Sequence, residues 1–253
     1  MNSPFDVERL RNKLAVKHKL KAFKKTYSGI FPEVRNINTK IFWDNKIINH
    51  RTSLKNFPMY ADKLSIISRY LSVQEGSLLD LGFGWATLEE KIHKFLKLEI
   101  YGIDISKEAV KYAQKHFRGV YKVGSVVDIT YPGTKFDFVV ALDVLEHIAP
   151  SKIFSVYKSV RRVLKKEGRF IVTVPINENL EDLIEKGKNS IGHLRAYTPD
   201  IIKAELKIAG FRIEKEASLY AFDRHYIIKK LIVKVLPIKI RRPNLVIIIA
   251  RKT

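Results

Sequence analysis

The stretch Leu78-Leu79-Asp80-Leu81-Gly82-Phe83-Gly84-Trp85-Ala86-Thr87-Leu88 decides the fold. It opens as an apolar run with one acid in it. It turns through Gly82-Phe83-Gly84 and continues as Trp85-Ala86-Thr87-Leu88-Glu89-Glu90-Lys91-Ile92. The first part reads as a buried strand and the last as an amphipathic helix. Glycines at a strand-to-helix turn let the backbone approach a ligand, and the helix start offers free N–H groups. Small residues also serve plain tight turns, so the context decides. The next apolar run, Leu98 to Asp104, reads as a second strand ending in an acid. Asp104 lies 20 positions after Gly84, about the spacing at which a carboxylate after the second strand reaches ribose hydroxyls.

Outward from this unit the pattern alternates. Strands are expected near 77–82, 98–104, 119–123, 136–142 and 168–174, with a sixth over 211–219 and a seventh over 245–250. Helices are expected near 59–71, 86–97, 107–116, 151–165 and 198–209. Such alternation means an α/β fold, a mostly parallel sheet with helices on both faces. Ligands of these sheets sit beyond the carboxyl ends of the strands. Asp80, Gly82, Asp104, Ser125 and Asp143 all fall at or next to those ends.

Three runs in order, DLGFGWATL, GIDIS and FDFVVALDVLEHI, resemble the class I S-adenosylmethionine-dependent methyltransferases over roughly residues 76–210. The nearest branch is the group that includes the ubiquinone-biosynthesis O-methyltransferases. Ala86 stands where the family pattern has its third glycine. A dinucleotide fingerprint fits less well, because Thr87 stands where it needs a small residue. The resemblance implies an enzyme, S-adenosylmethionine as cofactor, and a Rossmann-like seven-stranded sheet whose last strand is antiparallel. It implies that Asp80 and the backbone around Gly82, Phe83 and Gly84 hold the methionine part of the cofactor. By the same likeness Asp104 takes the ribose hydroxyls, Ile105 packs on the adenine and the Val126 N–H meets a ring nitrogen. Either Ser125 or Asp128 meets the adenine amino group, and Asp143 faces the methyl-donor side.

Methyl transfer from a sulfonium needs an aligned nucleophile and, for a hydroxyl acceptor, a place for its proton. His147, in Asp143-Val144-Leu145-Glu146-His147, is the first candidate base, since an unperturbed imidazole titrates near neutrality. Glu146 would orient it or bind substrate. His193 is the second candidate. It lies on the loop 175–197 with Arg195 and Tyr197, which are expected to bind an anionic or aromatic acceptor. The resemblance also links the acid-x-x-Glu-His run to a divalent metal. Three ligands from one stretch leave much of a hard ion's shell to water, so no metal is expected.

The chain has 253 residues, no cysteine and a net charge of +21. Without cysteine there is no disulfide framework, thiolate nucleophile or cysteine-ligated metal. No run of 18 apolar residues suggests a membrane span, and the N-terminus lacks the apolar centre of a secretion signal, so the cytoplasm is expected. The charge is uneven. Residues 1–58 hold 13 Lys and Arg against 4 acids, and residues 221–253 hold 9 against 1, while residues 59–220 hold 25 against 21. The expected division is a basic N-terminal helical extension over 1–58 and a methyltransferase domain over 59–253. A basic amphipathic insertion over about 222–243 interrupts that domain. A helix is expected near residues 3–27, with residues 28–58 irregular apart from apolar anchors at Phe42, Trp43 and Phe57. Basic ends suggest an anionic partner. The leading expectation is O-methylation of a small-molecule or lipid-linked acceptor, with peripheral attachment to the inner face of an anionic membrane. The alternatives are an RNA methyltransferase, in which nucleic acid takes the basic ends, and a non-catalytic scaffold that binds the cofactor. The oligomeric state is not legible.

Overall fold

The computed structural model describes residues 36–49, 57–95, 97–222, 225–235 and 242–253. The helix expected near 3–27 lies outside the described residues, as does part of the insertion. The first described helix, α1 (Lys40–Asn49), falls where irregular chain was expected. No glycine or proline interrupts Lys40–Asn49, and the Thr39 hydroxyl accepts from the Phe42 N–H at its start, which caps it. Helix α2 (Pro58–Leu71) follows, with proline in its first turn, where a missing N–H costs nothing.

The chain then builds β1 (Gly76–Leu81), α3 (Thr87–Ile92), β2 (Leu98–Asp104), α4 (Lys107–His116), β3 (Val120–Val123) and β4 (Phe136–Leu142). After two short 3-10 turns come α5 (Ile153–Val163), β5 (Leu164–Pro175), α6 (Leu180–Glu185) and α7 (Pro199–Ile208). The end is β6 (Phe211–Leu219), α8 (Tyr226–Val235) and β7 (Leu245–Lys252). The seven strands form one sheet in the order β3-β2-β1-β4-β5-β7-β6. Neighbours are parallel up to β5, and β7 runs antiparallel to both β5 and β6. The expected class I architecture is the observed one. Helix α3 stops at Ile92 rather than running on to 97, and β5 begins four residues before the expected strand.

The buried residues form two groups, one on each face of the sheet. Strand β1 reads Ser77 to Leu81 without an exposed residue, as a central parallel strand covered on both faces must. Its neighbours are β2 and β4, so the order of the strands reverses at β1. A crevice beyond the carboxyl ends at that reversal is where sheets of this kind bind ligands.

Helix α1 packs on the domain. Ser106 donates its hydroxyl to Asp44 Oδ1 at 2.7 Å, and the Glu108 N–H donates to the same oxygen. The Asn38 amide donates to the Gly192 carbonyl at 2.8 Å. Trp43 faces the interior, but Phe57 is 55% exposed and anchors little.

Candidate active site

A cavity of about 750 Å³ opens beyond the carboxyl ends of β1, β2 and β4. One end is the turn after β1. Gly82 and Gly84 have positive φ, 67° and 52°, which costs an L side chain about 1–2 kcal/mol. A Cβ on Gly82 would lie 2.9 Å from the Val144 side chain, whereas one on Gly84 would meet nothing within 4 Å. Gly84 therefore presents bare backbone to the cavity. Asp104 accepts from the Gly84 N–H at 2.8 Å through one oxygen and from the Ser106 N–H at 2.8 Å through the other. The same Ser106 hydroxyl accepts from the Ala109 N–H and caps α4. The cap and the carboxylate are thus separate devices. Burial pushes the Asp104 carboxyl up to about 6 despite these donors.

Phe83 packs edge-on to Tyr121. Both rings press on Gly102, where an added Cβ would come within 2.7 Å of each. Asp80, at the end of β1, is 2% exposed and lines the cavity. Its neighbour Glu89, on α3, is fully buried, and neither of its carboxylate oxygens has a donor among the described residues. Burial raises both acids, Glu89 to about 7; the charge of Glu89 raises Asp80 further, while the hydrogen bond with Asp80 pulls Glu89 partly back. Two carboxyls so placed are tolerable when they share a proton.

The other end of the cavity is built by the turn after β4 and the loop after β5. Glu146, His147 and His193 come together there, 45 or more residues apart in sequence for the last. The imidazoles of His147 and His193 lie 4.8 Å apart, and Trp43 meets His147 edge-on at 4.9 Å. His193 Nδ1 is 2.8 Å from Glu178. His147 Nδ1 is 3.3 Å from the Gly192 carbonyl. Glu146 is completely buried, and burial followed by the charge of Asp143 holds its carboxyl well above the usual range. Burial and then His193 push His147 down to about 3. Asp143 has φ 56° and lines the cavity. Burial opposes its charge, but the Lys63 ammonium bonded to it and the Thr173 hydroxyl at 2.6 Å keep its carboxyl below the usual range. Met59, Tyr60, Leu142 and Ile191 also line the cavity, whose wall is more apolar than polar.

Ile105, Ser125 and Val126 also line the cavity. Asp128 does not; it is exposed one turn further on. Of the two residues considered for the adenine amino group, Ser125 is the one that lines the cavity. The expectation for Arg195 and Tyr197 is corrected. Both are buried away from the cavity, with Arg195 bonded to Tyr197 and to Glu205 of α7. A buried guanidinium needs a carboxylate, and Glu205 sits on the apolar face of α7, one turn after Ile201. Sequence reasoning missed Lys63 and Glu178. Lys63 had a signal: it interrupts the apolar stripe of α2, one turn before Ile67. Glu178, in a loop of mixed polarity, had none.

Residues 79–172 match the family described as methyltransferase domain. The chain is 30% identical over 111 residues to the cyclopropane-fatty-acyl-phospholipid synthase of Escherichia coli K12, covering 44% of this chain and 29% of that one. It is 24% identical over 164 residues to a ubiquinone biosynthesis O-methyltransferase of Azorhizobium caulinodans, covering 58% and 62%. The chain thus spans less than two thirds of either relative. A SAM-dependent methyltransferase from Archaeoglobus fulgidus shares the fold, with a TM-score of 0.59 at 18% identity, over 84% of this chain and 99% of that one. Residues 79–172 thus carry a methyltransferase domain, the fold is that of S-adenosylmethionine-dependent methyltransferases, and S-adenosylmethionine is the cofactor indicated for that domain. The cavity fits it: bare backbone at Gly84 and a carboxylate anchored by two N–H groups suit a ligand with ribose hydroxyls.

Proposed function

We propose that the chain methylates an oxygen of a lipid-linked or small-molecule acceptor. The observation that carries this reading is one cavity, mostly apolar in its lining, that takes in both the glycine–Asp104 turn and the Glu146–His147–His193 cluster. When bound, S-adenosylmethionine supplies an activated methyl group. Asp104 keeps a free lone pair on each oxygen for ribose hydroxyls, and Asp80 offers charge to the methionine ammonium. The backbone of Gly82, Phe83 and Gly84 lies against that same part. Ile105 and Val126 flank the adenine, with Ser125 at its amino group. The acceptor oxygen faces Glu146, His147 and His193, which take up its proton. His147 is held neutral down to low pH, which makes it a weak base. His193, oriented by Glu178, has the stronger claim.

Lipid linkage is supported by the mostly apolar lining of the cavity. The two curated relatives also point this way, being named for a fatty-acyl phospholipid and for ubiquinone. Helix α8 adds to it, since Ile227, Ile228, Leu231 and Ile232 are all exposed. No helix among the described residues is long and apolar enough to cross a membrane. In this reading α8 and the basic ends hold the chain on an anionic membrane surface. The test is transfer of labelled methyl from S-adenosylmethionine into a total lipid extract, a set of water-soluble phenols and bulk RNA, each offered separately. Label in the lipid or phenol fraction that falls in His193→Ala is expected. Label in RNA alone would overturn the reading in favour of an RNA methyltransferase.

A further inference from the structure

Strand β1 and helix α3 bury two carboxyls against each other, Asp80 and Glu89. We propose that the pair holds a shared proton in the cofactor-free protein and releases it to solvent when the cationic methionine end of S-adenosylmethionine binds. Cofactor uptake is then coupled to proton release. This coupling rests on the placement of the methionine end at Asp80, as proposed above.

Asp80 is 2% exposed and lines the cavity, while Glu89 is wholly buried and lies outside the lining. The two side chains are hydrogen-bonded to each other. Ionised carboxylates only accept, so that bond exists only with a proton on one of them. Neither Glu89 oxygen has a further donor among the described residues.

The surroundings add no buried counter-charge. Strand β2 brings a third acid, Asp104, and β3 brings Tyr121, whose hydroxyl is held neutral by burial and then by the charges of Glu89 and Asp80. Helix α2, packed on α3, contributes Ile67 and Leu71 to the same cluster. On α3 itself Glu90 and Lys91 are exposed, and the next residue beyond its end, His93, bonds through Nδ1 to the Glu89 carbonyl and not to its carboxylate. The buried cations among the described residues are Lys63 and Arg195, which are bonded to Asp143 and Glu205. A buried carboxyl without a cation stays protonated.

A cation delivered to Asp80 reverses that balance, because an opposite charge nearby favours the ionised form. The methionine end supplies an ammonium, with the sulfonium close behind it. The proton of the pair leaves as these charges arrive, and the ionised Glu89 then stands as a second negative charge behind Asp80. Glu89 touches no ligand; it is a positioning residue that acts through Asp80 and makes the site select a cationic ligand.

Calorimetric titration of the full chain with S-adenosylmethionine, in buffers of different ionisation enthalpy at about pH 6.5, counts the proton. The amino group of the ligand keeps its charge there, since an α-amino group titrates near 8. The parent should release close to one proton per cofactor bound. In Glu89→Gln the amide donates to Asp80 and the bond no longer needs a proton, so release should drop to roughly a quarter, the share of Asp104. Affinity of the parent should rise about tenfold from about pH 6 to about pH 7.5, and that of the variant about twofold. One equivalent bound by the variant shows that it folds. Binding to the parent without proton release, or equal release in the parent and in Glu89→Gln, overturns the shared proton and leaves the cofactor site standing. Absence of cofactor binding to the parent removes both.

Discussion

Adding one carbon at Gly84 separates ligand binding from folding. The left-handed φ there costs alanine about 1–2 kcal/mol, but the new methyl meets no protein atom. It projects instead into the space proposed for the cofactor. Gly84→Ala should therefore melt only a few degrees below the parent and lose at least tenfold in affinity for S-adenosylmethionine. At Gly82 the same change strikes Val144 and should cost more stability. The Asp80–Glu89 pair makes a pH-dependent statement. Glu89 titrates near 7 in the folded chain, chiefly because it is buried, against an ordinary value of 4.5. Its folded value is the raised one, so its protonation favours the folded state. That stabilisation is complete below about 4.5 and is lost as the pH rises through about 7. Melting curves of the cofactor-free protein should fall across that window. Glu89→Gln should fall less, by on the order of 1–3 kcal/mol at the upper end. Parallel curves would mean that the shared proton is not there.

At the scale of elements, the buried Arg195–Glu205 pair ties the loop after β5 to α7. Breaking a buried pair by removing one partner costs about 3–5 kcal/mol. Glu205→Ala should lower the melting temperature substantially while leaving cofactor affinity within a few-fold. If affinity collapses as well, the loop after β5 shapes the cofactor end of the cavity. This pair also shows where reading the sequence fell short. Strands and helices were legible because their periodicities are local, and the glycine turn with Asp104 was legible because its spacing is fixed by one β-α-β unit. Arg195 and Tyr197 looked like loop residues open to a substrate. Their burial depends on an acid in a different element, and nothing local announces which partner a charge will meet. Lys63 failed for the same reason. Its partner Asp143 lies 80 residues away, and only the strand order brings α2 over the end of β4. The meeting of His193 with Glu146 and His147 follows from that order too.

For the whole molecule the charge distribution matters more than any one residue. Seventeen of the 21 net positive charges come from residues 1–58 and 221–253. Helix α8 lies with Tyr226 and Lys230 bonded to Asp62 of α2. That contact turns its isoleucines and Leu231 outward, Ile227 to 80% exposure. Helix α2 also supplies Met59, Tyr60 and Lys63 to the cavity wall, so the exposed apolar face adjoins an element of the site. Each basic residue near an anionic surface contributes on the order of 1 kcal/mol, and each buried Leu or Ile adds about 1.5–3 kcal/mol. The protein should sediment with anionic vesicles, less with neutral ones, and Ile228→Asp with Leu231→Asp should release it at moderate salt. Retention on RNA but not on anionic vesicles would move the basic ends to a nucleic acid.

Placement of the cofactor is the claim on which the site and the acceptor both depend. Calorimetric titration of the full chain with S-adenosylmethionine, in the parent and in Asp104→Ala, tests it most directly. One equivalent should bind to the parent. Loss of two hydrogen bonds to a charged group, about 1.5–3 kcal/mol each, should weaken the variant by about a hundredfold or more. Equal affinity in the two proteins would contradict the account.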